Sequence, residues 1–184
     1  MPGFWDWRER TQTAASAELA VVDTPLEPVE LYTQTAMVHG LVEPEGRRLS
    51  DMLNSNSHLS LRDPKSTSVF NGVVGSEGDG WQPMPTDDIL LVMPPEQVSP
   101  RQLRVHRRQH RVRITTGPYV VVGNAHLPPG VDLDAYALQK RIRFLAVTKA
   151  LVYASTDAAF ERAAPVVLVN IGPISDLTEV LTIS

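Results

Sequence analysis

Apolar and polar residues alternate in two short stretches, Val29–Glu30–Leu31 and Val112–Arg113–Ile114, the period-2 signature of a half-buried strand. Each is followed by a turn, Gln34–Thr35 or Gly117–Pro118, and then by a second strand-like run, Ala36–Val42 or Tyr119–Leu127. A Pro/Gly turn comes next, PEG at 44–46 and PPG at 128–130, whose glycine supplies the positive φ of a tight reversal. The segments LSDMLN (49–54) and DLDAYALQKR (132–141) predict short helical turns, with Ser50 and Asp132 as their caps. Third strands are expected over His58–Arg62 and Arg143–Tyr153. Variable loops follow at 71–86 and 155–164. Strongly apolar strands come last, Ile89–Met93 and Val166–Ile171, each with a short closing strand after it.

The two series match residue by residue, which points to an internal duplication. Val29 pairs with Val112, Leu31 with Ile114, Thr33 with Thr116 and Gly40 with Gly123, all at an offset of 83. One extra residue shifts the offset to 84, at which Pro44 pairs with Pro128, Gly46 with Gly130 and Leu49 with Leu133. The ends also match, DILLVMPPEQVS (88–99) running parallel to PVVLVNIGPIS (165–175). The expected organisation is an N-terminal aromatic segment and linker at 1–28, a first unit at 29–100, a basic linker at 101–111 and a second unit at 112–184. About five strands per unit suit a small, strongly bent sheet or barrel. Two such units in one chain would pack as a pseudo-symmetric pair, because one alone buries too little surface.

Composition narrows the class. The 184 residues are 42% hydrophobic and 21% charged, so a disordered chain or a coiled-coil rod is excluded, and fifteen prolines argue against a helical bundle. The absence of cysteine excludes disulfides, thiolate metal sites and thiol nucleophiles. The opening MPGFWDWRER has no apolar stretch of a signal peptide, and no run reaches the ~18 apolar residues of a membrane span, so a cytoplasmic protein is expected. The net charge of −4 conceals a division: residues 1–100 carry −9, 101–150 carry +8 and the remainder −3.

Several residues give the unit a likeness to a known fold. Gly40, Leu41, Asp51, Asn54 and Leu59 resemble the first Sm motif, and Asn170–Ile171–Gly172 stands where the second Sm motif has its strand–turn. The chain thus resembles tandem Sm-like proteins of the Sm, LSm and Hfq type, and also bacterial proteins built of one or two such units. The resemblance implies a mainly β fold of two tandem, pseudo-symmetric, five-stranded Sm-like barrels with short helical turns, plus the N-terminal segment. It implies RNA binding less directly. Asp51 and Asn54 are separated by two residues where the Sm pattern has three. The second unit has Asp134 and Leu138 in place of the motif's Asp and Asn, and the Sm-type Arg-Gly is absent from both units.

The chemistry offers no catalytic constellation: no phosphate-binding loop, dinucleotide fingerprint, zinc-protease helix or nucleophile elbow is present. His106 and His110 have ligand-like spacing but sit among arginines that repel a cation, so no metal and no cofactor is expected. His39 and His126 read as outward-facing strand residues. The sharpest local feature is the arginine run, in which Arg104, Arg107, Arg108, Arg111 and Arg113 are candidate nucleic-acid or anion contacts, since guanidinium forks match phosphate. No aromatic interleaves them to stack bases. Their competing role is to pair with the acidic first unit and fix the angle between the units. Arg107, Arg111 and Asn124–Gly130 also resemble, in part, the PilZ pattern for a cyclic dinucleotide. Phe4, Trp5 and Trp7 are candidates for docking on a partner or a neighbouring copy, with docking on their own chain as the competing reading, while Asp6 and Glu9 argue against a membrane surface. The reading is a non-enzymatic interaction or assembly protein that takes a protein partner or self-associates. Binding of RNA or another single-stranded nucleic acid is the alternative, and a PilZ-like sensor the third reading.

Overall fold

The computed structural model describes residues 25–69, 72–94, 108–127, 142–155 and 157–180. The elements run β1 (Glu27–Tyr32), β2 (Ala36–Val42), α1 (Leu49–Ser55), β3 (His58–Ser68), β4 (Val74–Glu77), β5 (Trp81–Pro85) and β6 (Leu91–Met93). The second series is β7 (Arg108–Thr116), β8 (Tyr119–Leu127), β9 (Phe144–Ala154), β10 (Asp157–Asn170) and β11 (Ile174–Glu179). The fold is mainly β. All eleven strands join one antiparallel sheet in the order β11-β7-β8-β9-β10-β6-β1-β2-β3-β4, with β5 also paired to β3. Among the described residues the sheet is open: its two ends do not pair with each other.

The halves follow one plan. In the first, β6 flanks β1, then come β2 and β3, with β4 and β5 on the far side. In the second, β11 flanks β7, then come β8, β9 and β10. The registers agree as well. Val29 lies opposite Gly40 and Leu31 opposite Val38, just as Val112 lies opposite Gly123 and Ile114 opposite Val121. The register slips beside both glycines, between His39 and Leu41 of β2 where it pairs with β3 and between Val122 and Asn124 of β8 where it pairs with β9. A bulge bends a strand and sharpens its twist. At Gly123 a β-carbon would stand 2.5 Å from Val147 Cγ1 and 2.9 Å from the Thr148 carbonyl, so the close approach of β9 requires the glycine.

The apolar runs are long because the joining strands are covered on both faces. Val167 and Val169 of β10 face one core with Ile114, Tyr119 and Val121, while Val166 and Leu168 face the other with Leu31, Leu53 and Leu61. Leu91 and Val92 of β6 divide in the same way. Strands β9, β10 and β6 therefore stand between two cores, and β10 adds directly to β6 through Leu168↔Val92 and Val169↔Leu91.

Several expectations need correction. The 71–86 segment is not a loop but contains β4 and β5, and 155–164 lies largely within the long β10. The match between 88–99 and 165–175 does not join equivalent strands. The apolar strand of the first half flanks its unit's first strand, and that of the second flanks its third. The shared apolar character reflects burial on both faces, not a shared place in the strand order. Strand β7 begins at Arg108, so part of the expected basic linker is strand. Ser50 lies inside α1. Its N-cap is Arg48, which makes no side-chain capping bond. The 132–141 segment, with Asp132, is outside the described residues. Among the described residues no helix is long and apolar enough to cross a membrane.

Candidate functional site

Three places stand out among the described residues, two of them polar. The first is the seam between the halves. Asn170 is buried at the end of β10, where its Nδ2 donates to the Ile89 carbonyl at 2.8 Å and the Thr86 carbonyl at 3.3 Å. Its Oδ1 accepts from the Gly172 N–H at 3.0 Å. Asn54, on the last turn of α1, accepts at Oδ1 from the backbone N–H groups of Arg143 at 2.7 Å and Phe144 at 2.8 Å. Arg143 in turn donates to Thr86 Oγ1 and lies 3.4 Å from an Asp87 carboxylate oxygen. Asn54, singled out by its likeness to an RNA-contacting residue, is thus engaged with the backbone of the second half.

An aromatic cluster closes the same seam. Tyr32, Tyr119 and Phe160 meet with ring centroids 5.5 to 6.0 Å apart, two of the three pairs edge-to-face. The Tyr119 hydroxyl donates to the Thr33 carbonyl at 3.1 Å, and the Tyr32 hydroxyl donates to Glu30. Burial holds the Tyr32 phenol far above its ordinary range, with the Glu30 carboxylate adding to the effect, and burial pushes the Tyr119 phenol up to about 12.

The second place is a groove of about 570 Å³ beside the seam, lined among others by Glu30, His39, Asp63, Lys65, Met93 and Arg162. His39 Nδ1 lies 3.7 Å from Glu30, and Lys65 pairs with Glu77 at 3.5 Å. With two acids facing two permanent cations, the groove has no strong preference for an anion. Among the described residues no group of three or more acidic or histidine side chains is placed to hold a metal ion.

The third place comprises the two ends of the sheet. One end presents β4 and β5, where Val73, Val74 and Trp81 are exposed, and the other presents β11.

The expected site residues are dispersed. Arg104 and Arg107 lie outside the described residues, and Arg108 opens β7. Arg111 is half-buried and donates to Asn124 Oδ1 at 3.5 Å, while exposed Arg113 lies 3.6 Å from Asp176 of β11. His110 is not in a solvated linker. It sits on β7 with Nδ1 2.8 Å from Glu179 of β11. His126 is not outward-facing but buried, 2.7 Å from Thr148 Oγ1. Phe4, Trp5 and Trp7 are outside the described residues. The seam roles of Thr86, Arg143 and the Tyr32–Tyr119–Phe160 cluster were not read from the sequence, where Arg143 counted only as basic charge and a strand start. The available signal was Asn170, a polar residue closing an apolar strand. Set against models of protein families, curated proteins and solved structures, the chain matches none of them.

Proposed function

We propose that the chain is a non-enzymatic interaction and assembly module made of two tandem, strongly bent Sm-like units. The observation that carries this reading is the β10–β6 pairing, by which the outer strand of one half completes the sheet of the other. A unit of this plan joins its neighbour by strand addition, and the sheet still ends in outer strands at both sides. Support for the duplication comes from the common strand order, the common Val–Gly register and the bulge at both glycines. Arg111 and Arg113 have partners within the chain, which favours protein contact over phosphate binding.

The test is native mass spectrometry of the purified full chain, with a salt titration against single-stranded RNA. The reading expects a defined protein assembly, either self-made or with a co-purifying partner, and no salt-dependent RNA affinity. An RNA affinity falling steeply with salt, at a slope near −0.7 per neutralised phosphate, would replace it with the nucleic-acid alternative.

A further inference from the structure

The two ends of the sheet differ in their capacity to accept a strand. At the first end, the Thr86 N–H donates inward to the Ser57 carbonyl. Backbone direction alternates along a strand, so Gln82 and Met84 also face β3, and Trp81, Pro83 and Pro85 face away from it. Two of these three outward residues have no N–H. The neighbouring β4 has four residues, and its register with β3 slips between Lys65 and Thr67. Prolines and bulges of this kind block addition at a sheet edge.

Among the described residues the other end has no such block. The Val180 N–H donates to the Arg111 carbonyl at 2.7 Å, so Thr178 and Asp176 also face β7. Leu177 and Glu179 then direct their N–H and C=O groups outward, and the strand contains no proline. Its register is regular from Asp176 onward, the slip lying between Ile174 and Asp176.

We propose that two copies of the chain pair antiparallel through β11, about a two-fold axis at Thr178. The inference rests on the reading of the chain as an assembly module and names its partner as a second copy. This register uses both outward residues within the regular stretch, setting Leu177 opposite Glu179 of the second copy in hydrogen-bonded pairs. It sets Thr178 opposite Thr178 and Asp176 opposite Val180, so no acid faces an acid, and cross-strand Thr–Thr pairs are favourable. Asp176 and Glu179 keep Arg113 and His110 as partners on β7. Head-to-tail growth would require the proline-blocked end, so assembly by this route stops at two.

The chain has no cysteine, which makes the register directly testable. In the proposed pairing Thr178 meets its own copy at a non-hydrogen-bonded position, with α-carbons about 4.5 Å apart, within the range a disulfide spans. Under mild oxidation full-length Thr178→Cys should form a covalent dimer about tenfold faster than Asp176→Cys, because pairing raises the effective thiol concentration. In sedimentation velocity the unmodified chain should show a concentration-dependent dimer and nothing larger. Thr178→Lys, which opposes two like charges on an exposed position, should be monomeric with an unchanged circular dichroism spectrum and, at concentrations where the unmodified chain is also monomeric, an unchanged melting temperature. Equal crosslinking rates, a Thr178→Lys dimer or assemblies beyond two would overturn the proposal. So would a monomer whose Leu177 and Glu179 amides resist hydrogen exchange, since the chain would then cover its own edge. A monomer that binds a different protein defeats this inference alone, whereas a monomer with no protein partner defeats the assembly reading too.

Discussion

Replacing Asn170 tests whether the seam is held by polar satisfaction as well as by apolar packing. Asn170 is 2% exposed and makes three hydrogen bonds, two to carbonyls of the Thr86–Ile89 segment and one from Gly172. Asn170→Ala removes all three, and the two carbonyls that lose a donor belong to buried residues, Thr86 and Ile89, whereas Gly172 is exposed. At about 1 kcal/mol net per bond, the loss is about 3 kcal/mol. For a chain of this size that lowers the melting temperature by roughly 6–12 °C. Asn170→Asp is close in shape and keeps an acceptor for Gly172, but it puts a carboxylate oxygen in place of the amide Nδ2 against two buried carbonyl oxygens, and a buried charge facing acceptors costs more than a missing bond. The expected order of stability is therefore wild type, then Ala, then Asp, measured by urea and thermal unfolding at neutral pH. An Ala variant within ~0.5 kcal/mol of wild type, or an Asp variant above Ala, would refute the reasoning, because surface substitutions typically fall in that range.

Three further expectations follow from particular contacts. Gly123→Ala should destabilise far more than Gly40→Ala in parallel thermal melts, since the new methyl at 123 meets Val147 at 2.5 Å whereas at 40 its nearest neighbour is Leu61 at 3.4 Å. Stability should fall above pH 10: the unfolded tyrosines lose protons near pH 10 while folded Tyr119 holds its proton to about 12, so the unfolded state binds fewer protons. The slope from Tyr119 approaches 1.4 kcal/mol per pH unit between those values, and Tyr119→Phe should flatten a urea-stability profile taken across that window. Arg113→Ala should change stability by less than ~0.5 kcal/mol, because its pair with Asp176 is half exposed, at 51% on each side, and a larger loss in urea melts would mean the pair holds β11 in place.

The parts of this fold legible in the sequence are those set by local periodicity. Val29 and Leu31, like Val112 and Ile114, alternate because one face of each strand meets the core, and the glycines at 40 and 123 mark a register that recurs in both halves. The strands β4 and β5 were not legible because Val74–Glu77 and Trp81–Pro85 bury almost nothing and so carry no alternation. Prolines at 83 and 85 read as loop punctuation, although proline is tolerated on an outer strand whose N–H would face away from the sheet. The arginine run was legible as charge but not as position. Arg111 and Arg113 owe their partners, Asn124 and Asp176, to pairings that β8 and β11 form across 13 and 63 residues of chain.

The seam explains why both apolar strands look alike without being equivalent. A strand shared by two cores must be apolar at every position, so Leu91–Val92 and Val166–Val169 lose the alternation that would have revealed which neighbour each one serves. The same sharing couples the halves. Val166 and Leu168 cannot leave the first core without Val167 and Val169 leaving the second, because they occupy one continuous strand. Asn170 ends that strand at the point where the chain must turn away, and its amide ties the turn to the Thr86–Ile89 segment of the other half. A polar side chain at the end of a doubly buried strand therefore fixes how far β10 slides along β6, a choice that an unbroken run of valine and leucine leaves open.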